Sequence, residues 1–376
     1  VVLLVGYENC YAQGLATDRV IGNIEEVARF NGPMPTGVTV SDYGRIFVNF
    51  PKWGDSVEYT VGEVKDGKTF AYPNADINHY AEGDDPSSKL VSVQSVVVDP
   101  TGNRLWILDT GSIGMGFVKP GGPKLLAVDL NDNRVNKKIL FPSDVALAAS
   151  YLNDVRFDLH RGSEGMAFIT DSTSNGANGI IVVDLASGKS WRRLSDHPST
   201  KPDPEFLPVA EGEILRIRLP GKPPARFGVG SDGIAISPDG KTLYYCPLTS
   251  RHLYSVSADA LADKSKSDAD VAATEKDLGE KGGASDGLES DAQGRVYLSD
   301  YEHNAIRRRT PDGEIETLVH DPRVLWPDTL SLASDHYLYF TANQIERQPP
   351  FNNGKDLRQK PYVLFRVKVD GTRIQN

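Results

Sequence analysis

Short runs of alternating apolar and polar residues recur along the whole chain, each broken by an Asp, Pro or Gly turn. Six such units begin near positions 37, 94, 153, 231, 285 and 327. In the second, Val96-Val97-Val98 runs into Asp99-Pro100-Thr101-Gly102 and then Leu105-Trp106-Ile107-Leu108. In the fourth, Ile234-Ala235-Ile236 runs into Ser237-Pro238-Asp239-Gly240 and then Leu243-Tyr244-Tyr245. A period of two puts successive side chains on opposite faces of a strand. The turn residues supply the dihedrals a tight connection needs, so each unit predicts a β-hairpin. The spacing is irregular, from 42 residues (285 to 327) to 78 (153 to 231).

Further apolar runs follow the hairpins at 124–129, 179–184, 253–256 and 362–367. That makes about four strands per unit, the count of a propeller blade. One blade cannot bury both faces, whereas six around an axis can. The expected fold is therefore all-β, a six-bladed propeller of four-stranded antiparallel blades. Residues 24–376 form the single domain and residues 1–23 an N-terminal extension, with closure between 25–30 and 362–367. Two stretches break the pattern and read as rim insertions: the proline-rich 195–222, an irregular loop, and the charged 258–283, short helix plus loop. The opening Val-Val-Leu-Leu-Val is too short to span a bilayer. It reads as a strand, the alternative being the remnant of a signal peptide with Ala12-Gln13-Gly14 as its cleavage region.

Charge then removes several functions. With 41 Lys and Arg against 51 Asp and Glu, the net charge is −10, and no basic run exceeds Arg307-Arg308-Arg309. A nucleic-acid partner needs a basic face, so none is expected. Two cysteines, Cys10 and Cys246, allow one bridge at most and no zinc knuckle. Gly111 to Gly116 lacks the strand and helix that a dinucleotide site requires, so no nucleotide cofactor is expected. Asp109-Thr110-Gly111 has no second copy to share a proton with, which reads as a strand end rather than a protease element. No Gly-x-Ser-x-Gly elbow and no His-Glu-x-x-His occur.

In a propeller the first residue of each innermost strand lies near the axis. Here those residues are Gln94, Asn153, Asp232, Asp286 and Asp328. Oxygen-bearing groups gathered in one small volume repel or stay unsatisfied unless a cation, water or ligand pairs them. Such a set suits a hard divalent cation, Ca²⁺ or Mg²⁺, held by Asn153, Asp232 and Asp286. The plainer alternative is that each Asp caps its own Asp-Gly turn. Trp326, beside Asp328, is placed as a pocket wall and His303, after the fifth hairpin, as a rim residue near the ligand; Trp106 is placed in the core.

Taken together, GVTVSDYGRIFVNFPKWGD (37–55), SVQSVVVDPTGNRLWILDTG (92–111), YLNDVRFDL (151–159), AFITDSTSN (167–175) and FNNGKDLRQKPYVLFR (351–366) resemble the Yellow / major royal jelly protein family. The resemblance implies a six-bladed propeller in a secreted or periplasmic setting, with a small molecule as partner. The family's biochemistry is mixed: some members are similar to dopachrome isomerases, others bind small aromatic amines. The axial set is also similar to gluconolactonase-like propellers, which hold a divalent cation with Glu, Asn and Asp. This chain departs from them at Thr36-Gly37, where no Glu stands. Two readings follow. One is an enzyme that hydrolyses a lactone or tautomerises a cyclic or aromatic metabolite, with Asp232 and Asp286 moving protons. The other is a non-catalytic binder of a small aromatic or amine ligand, or a protein-interaction platform. The sequence names no protein partner.

Overall fold

Each alternating unit becomes one antiparallel four-stranded sheet in the computed structural model, which describes residues 19–375. The innermost strands are Val38–Val40, Val93–Val98, Leu152–Asp158, Ser231–Ile236, Ser285–Ser290 and Pro327–Leu332, here numbered as blades 1 to 6. Blades 1 to 5 take their four strands in sequence order. Blade 6 is completed from the other end of the chain: Ile24–Phe30 pairs with Tyr362–Lys368, from Ile24 opposite Val367 to Phe30 opposite Tyr362. The ring closes as the two apolar runs predict.

Blade faces pack on one another through large apolar side chains. Trp106 of blade 2 stacks on Phe157 of blade 3, with centroids 5.1 Å apart and 26° between planes. Trp106 is fully buried, and its indole N–H donates to Asp99 at 3.0 Å, so its role is core packing. Phe168, Ile236 and Tyr245 fill the next interface. Burying one such side chain contributes about 1.5–3 kcal/mol, and the ring repeats it between blades.

Asp109 ends the second strand of blade 2. Its carboxylate accepts from the Val91 and Ser92 N–H at 2.7 and 3.0 Å and from the buried Lys124 ammonium at 2.7 Å. Asp109-Thr110-Gly111 is thus a tie that fixes the chain entering the inner strand. Asp171 does the same in blade 3, taking the Tyr151 N–H at 2.8 Å and the Arg192 guanidinium at 2.8 Å.

Two expectations need correction. Residues 258–283 are not all rim: after two short helices, Ala258–Ala262 and Asp268–Ala272, the strand Lys276–Glu280 forms the outer edge of blade 4. An outer strand faces solvent, so it carries charge instead of the apolar alternation that marks inner strands. Residues 195–222 are not one irregular loop either. They hold the hairpin Val209–Ala210 with Glu213–Ile214 and start a second, Arg216–Ile217 with Ala225–Arg226. Of the N-terminal extension, Ile21 bridges His320 on the outer strand of blade 5. The opening apolar run, Ala12-Gln13-Gly14 and Cys10 lie outside the described residues. Cys246 is buried, its thiol 3.8 Å from the Ser285 carbonyl.

Candidate functional site at the blade starts

In blades 2 to 6 the innermost strand opens with a β-bulge, one extra residue against its neighbour. The bulge holds Gln94 alone in blade 2 and Asn153, Asp232, Asp286 and Asp328 with their successors in blades 3 to 6. A bulge re-aims a side chain that the regular pleat would send into a blade interface. All five side chains line one cavity of about 420 Å³ on the axis. The Asp-Gly pairs have a steric cause. A Cβ on Gly233 would sit 2.4 Å from the Asp286 carbonyl, and one on Gly287 2.5 Å from that of Asp328. Glycine lets each strand start approach the next blade closely enough to bring the acids together.

Blade 1 contributes no such side chain. Gly37 occupies the matching place, and a Cβ there would fall 2.0 Å from Asn49 Oδ1. Asn49 fills that space, its amide N–H donating to Thr36 Oγ1 at 2.8 Å and to the Val93 and Gln94 carbonyls at 3.1 and 3.0 Å.

The acids are fixed one by one. Asn153 Nδ2 donates to Asp232 Oδ2 at 2.7 Å and to Ser172 Oγ at 3.0 Å. Trp326 Nε1 donates to Asp286 Oδ2 at 2.7 Å, and Asn343 Nδ2 to Asp328 Oδ2 at 2.6 Å. Among the described residues, no Lys or Arg forms an ion pair with any of the three acids. Burial, and then the charges of Asp286 and Asp328, push Asp232 well above the usual carboxylate range. Burial, then Asp286, does the same for Asp328. Burial lifts Asp286 to about 6 against the opposing pull of the Trp326 indole. Asp232 and Asp286 line the same cavity and act on each other electrostatically. They titrate as a pair.

Above this floor the walls turn apolar and aromatic: Trp53, Met115, Ile217, Phe227, Ile345 and Phe351. Tyr151 links wall to floor, accepting from Trp53 Nε1 at 2.7 Å and donating to Gln94 Oε1 at 3.0 Å. Tyr151, two residues before Asn153, carries no signal of its own in the sequence. Phe227, Ile345 and Phe351 carry none because they come from connections between strands, where no periodicity marks them.

Two expected site residues sit elsewhere. Trp326 does not line the cavity. It is buried behind Asp286 and stacked on Tyr301, with centroids 4.1 Å apart and planes at 7°. Its left-handed backbone, φ 48°, turns the indole behind the acid it holds. His303 is also outside the lining; its Nδ1 is 2.8 Å from Asp300 Oδ2, which raises its proton affinity, so it belongs to the strand-end tie of blade 5. The oxygen donors at Asn153, Asp232 and Asp286 have the chemistry of a hard-cation site. Their arrangement does not fit one: Asn153 turns an N–H toward Asp232, Asp286 is engaged by Trp326, and blade 1 adds no carboxylate. Among the described residues no group of three or more His, Cys, Asp or Glu stands at metal-holding spacing.

The model of the major royal jelly protein family matches residues 91–370. The chain belongs to that family. Blade 1 lies ahead of the matched region. Among relatives of this family member, major royal jelly protein 1 of Apis mellifera is 29% identical over 228 residues, 58% of this chain and 48% of that protein. Protein yellow of Drosophila erecta is 28% identical over 252 residues, 62% of this chain and 43% of that protein. The chain thus spans less than half the length of these relatives. Solved structures share the architecture at low identity. A calcium-binding regucalcin of Agrobacterium tumefaciens matches with TM-score 0.55 and 14% identity, covering 93% of this chain and 98% of its own. A gluconolactonase of Xanthomonas campestris matches with TM-score 0.51 and 12% identity, covering 95% and 99%. At such identities the likeness establishes the propeller fold alone. Among the described residues no helix is long and apolar enough to cross a membrane.

Proposed function

We propose that the axial cavity takes a small cyclic or aromatic molecule and moves a proton on it, by tautomerisation or by opening of a lactone. The observation that carries this is the pairing of Asp232 and Asp286, two buried acids that line one cavity in unequal environments. Asp286, lifted to about 6 and stabilised as a carboxylate by Trp326, is the base. Asp232, raised further by burial and by two neighbouring acids, holds its proton and is the acid. Groups whose proton affinities are driven apart beside neutrality divide acid and base roles between them. In a tautomerisation Asp286 removes a proton from the ring while Asp232 protonates the carbonyl oxygen. In lactone opening Asp286 takes the proton of the attacking water and Asp232 protonates the departing alkoxide. Asn153 and Gln94 orient the polar end, and the aromatic walls exclude water from the rest. The gluconolactonase among the structural neighbours supports testing lactones first. Family membership supports a secreted or periplasmic setting.

A second reading is binding without turnover. Among the described residues the three acids form no ion pair, and they lie under Trp53, Tyr151, Phe227 and Phe351, a setting that attracts a small ammonium ligand. Ca²⁺ or Mg²⁺ at Asn153, Asp232 and Asp286 is a competing counter-charge that requires these side chains to draw together.

Assay of a lactone and cyclic-enol panel separates the readings. Proton transfer predicts turnover on at least one member and a loss of about 10²–10⁴-fold in Asp286→Asn. An absence of turnover with a thermal shift from small aromatic amines favours the binder. A shift with Ca²⁺ alone, lost on chelation, favours the metal.

A further inference from the structure

One wall of the axial cavity is a clasp between two connections. Ile217, Phe227 and Val229 come from the insertion after blade 3; Ile345, Gln348 and Phe351 follow the second strand of blade 6. The two are joined by Arg218 N–H to the Pro350 carbonyl at 2.7 Å and Asn353 N–H to the Arg218 carbonyl at 2.9 Å. On the far side of this wall, Glu346 follows Ile345 directly. Its side chain is 5% exposed, and neither carboxyl oxygen has a hydrogen-bond donor. Facing it from the tip of the insertion hairpin is Glu211, held by Arg347 through contacts of 2.7 and 2.5 Å. Among the described residues Arg347 is the one cation in ion-pair range of Glu346 itself, at a distant 3.9 Å, while Glu213 and Arg218 line the same cavity outside the wall.

A buried carboxylate without a donor is costly, so this geometry requires a proton. We propose that Glu346 is a proton-operated latch: protonated, it donates to Glu211 and holds the insertion hairpin against the wall; ionised, it repels Glu211 and the wall opens. Burial, with Glu211 adding to it, raises its proton affinity to about 8. The sign follows. The closed form holds a proton that an opened, solvated Glu346 loses at ordinary carboxylate pH. Closure is therefore favoured below that range and weakens as pH rises, until it levels off above about 8. The device acts on access to the cavity whatever chemistry the cavity performs.

Hydrogen exchange of the whole protein tests it, with rates corrected for the intrinsic pH dependence of exchange. Protection of residues 209–218 and 344–359 should fall about tenfold or more between pH 6 and 8, while blade 2 strands stay constant. Glu346→Gln keeps the shape and a donor for Glu211, and should hold protection within about twofold across that range. Equal loss in both proteins, or constant protection in the wild type, overturns the proposal. A carboxyl titration of Glu346 in the wild type gives the answer if the variant does not fold: a midpoint near the ordinary carboxylate value overturns it as well.

Discussion

The two ends of the central channel treat their charged groups in opposite ways. At the lower end Asp154 is met by the Arg156 guanidinium at 2.9 Å and the Ser95 hydroxyl at 2.7 Å, and Arg156 also donates to the Leu288 carbonyl at 2.5 Å. Arg373 reaches under the ring to Asp42 at 2.6 Å and to the Val98 carbonyl at 2.8 Å. The space left is about 60 Å³. At the upper end three acids face about 420 Å³ with amide and indole donors but, among the described residues, no ion-pair partner; Arg226, which also lines the cavity, gives its guanidinium to the Asp203, Pro204 and Phe206 carbonyls. Charge at the bottom is neutralised inside the fold and serves closure. Charge at the top is left for something else to neutralise, and that makes it a site.

The largest effect that sharpens this contrast is at the bottom. Arg156→Met strands Asp154 in the interior and should cost about 3–5 kcal/mol, read from urea unfolding. A loss below about 1 kcal/mol would mean that the lower pair is not what neutralises the channel. Next comes the packing that gathers the acids. Gly287→Ala pushes a methyl against the Asp328 carbonyl and should cost about 1–3 kcal/mol, with ligand binding weakened in step.

The same kind of charge removal should have the opposite sign at the top. Asp328→Asn keeps the shape, ends repulsion with Asp286, and should stabilise the protein at neutral pH by about 1 kcal/mol. Destabilisation of that size would show the acid to be structurally paired. The smallest effect is a slope. Between the ordinary carboxylate range and about 6 the folded chain holds more protons at these acids than the unfolded chain. Melting temperature should therefore fall as pH rises through that window, and less steeply in Asp286→Asn.

The architecture was legible because propeller blades are local: each hairpin carries its own alternation and turn, as in 96–108, and closure needs only two more apolar runs. The axial residues were legible for the same reason, since the start of an inner strand is marked by where alternation begins. Their roles in the wall were not. Trp326 and Asp328 are two residues apart, yet a left-handed backbone sends the indole behind the cavity, and no residue pattern announces that turn. His303 was misplaced because sequence proximity to a rim says nothing of the Asp300 that claims its ring. The outer strand 276–280 was hidden by its own exposure, and the clasp at Glu346 depends on Glu211, more than a hundred positions away.

The central claim is that the upper acids share a charge the fold leaves uncompensated. Carboxyl-selective NMR titration of the wild-type protein tests it directly, with Asp232→Asn used to assign the coupled pair. The account predicts that Asp286 titrates near 6 and Asp232 and Asp328 above the usual carboxylate range. Removing the Asp232 carboxyl, which holds Asp286 down, should move Asp286 upward. Midpoints near 4 for all three, unchanged by the substitution, would contradict it.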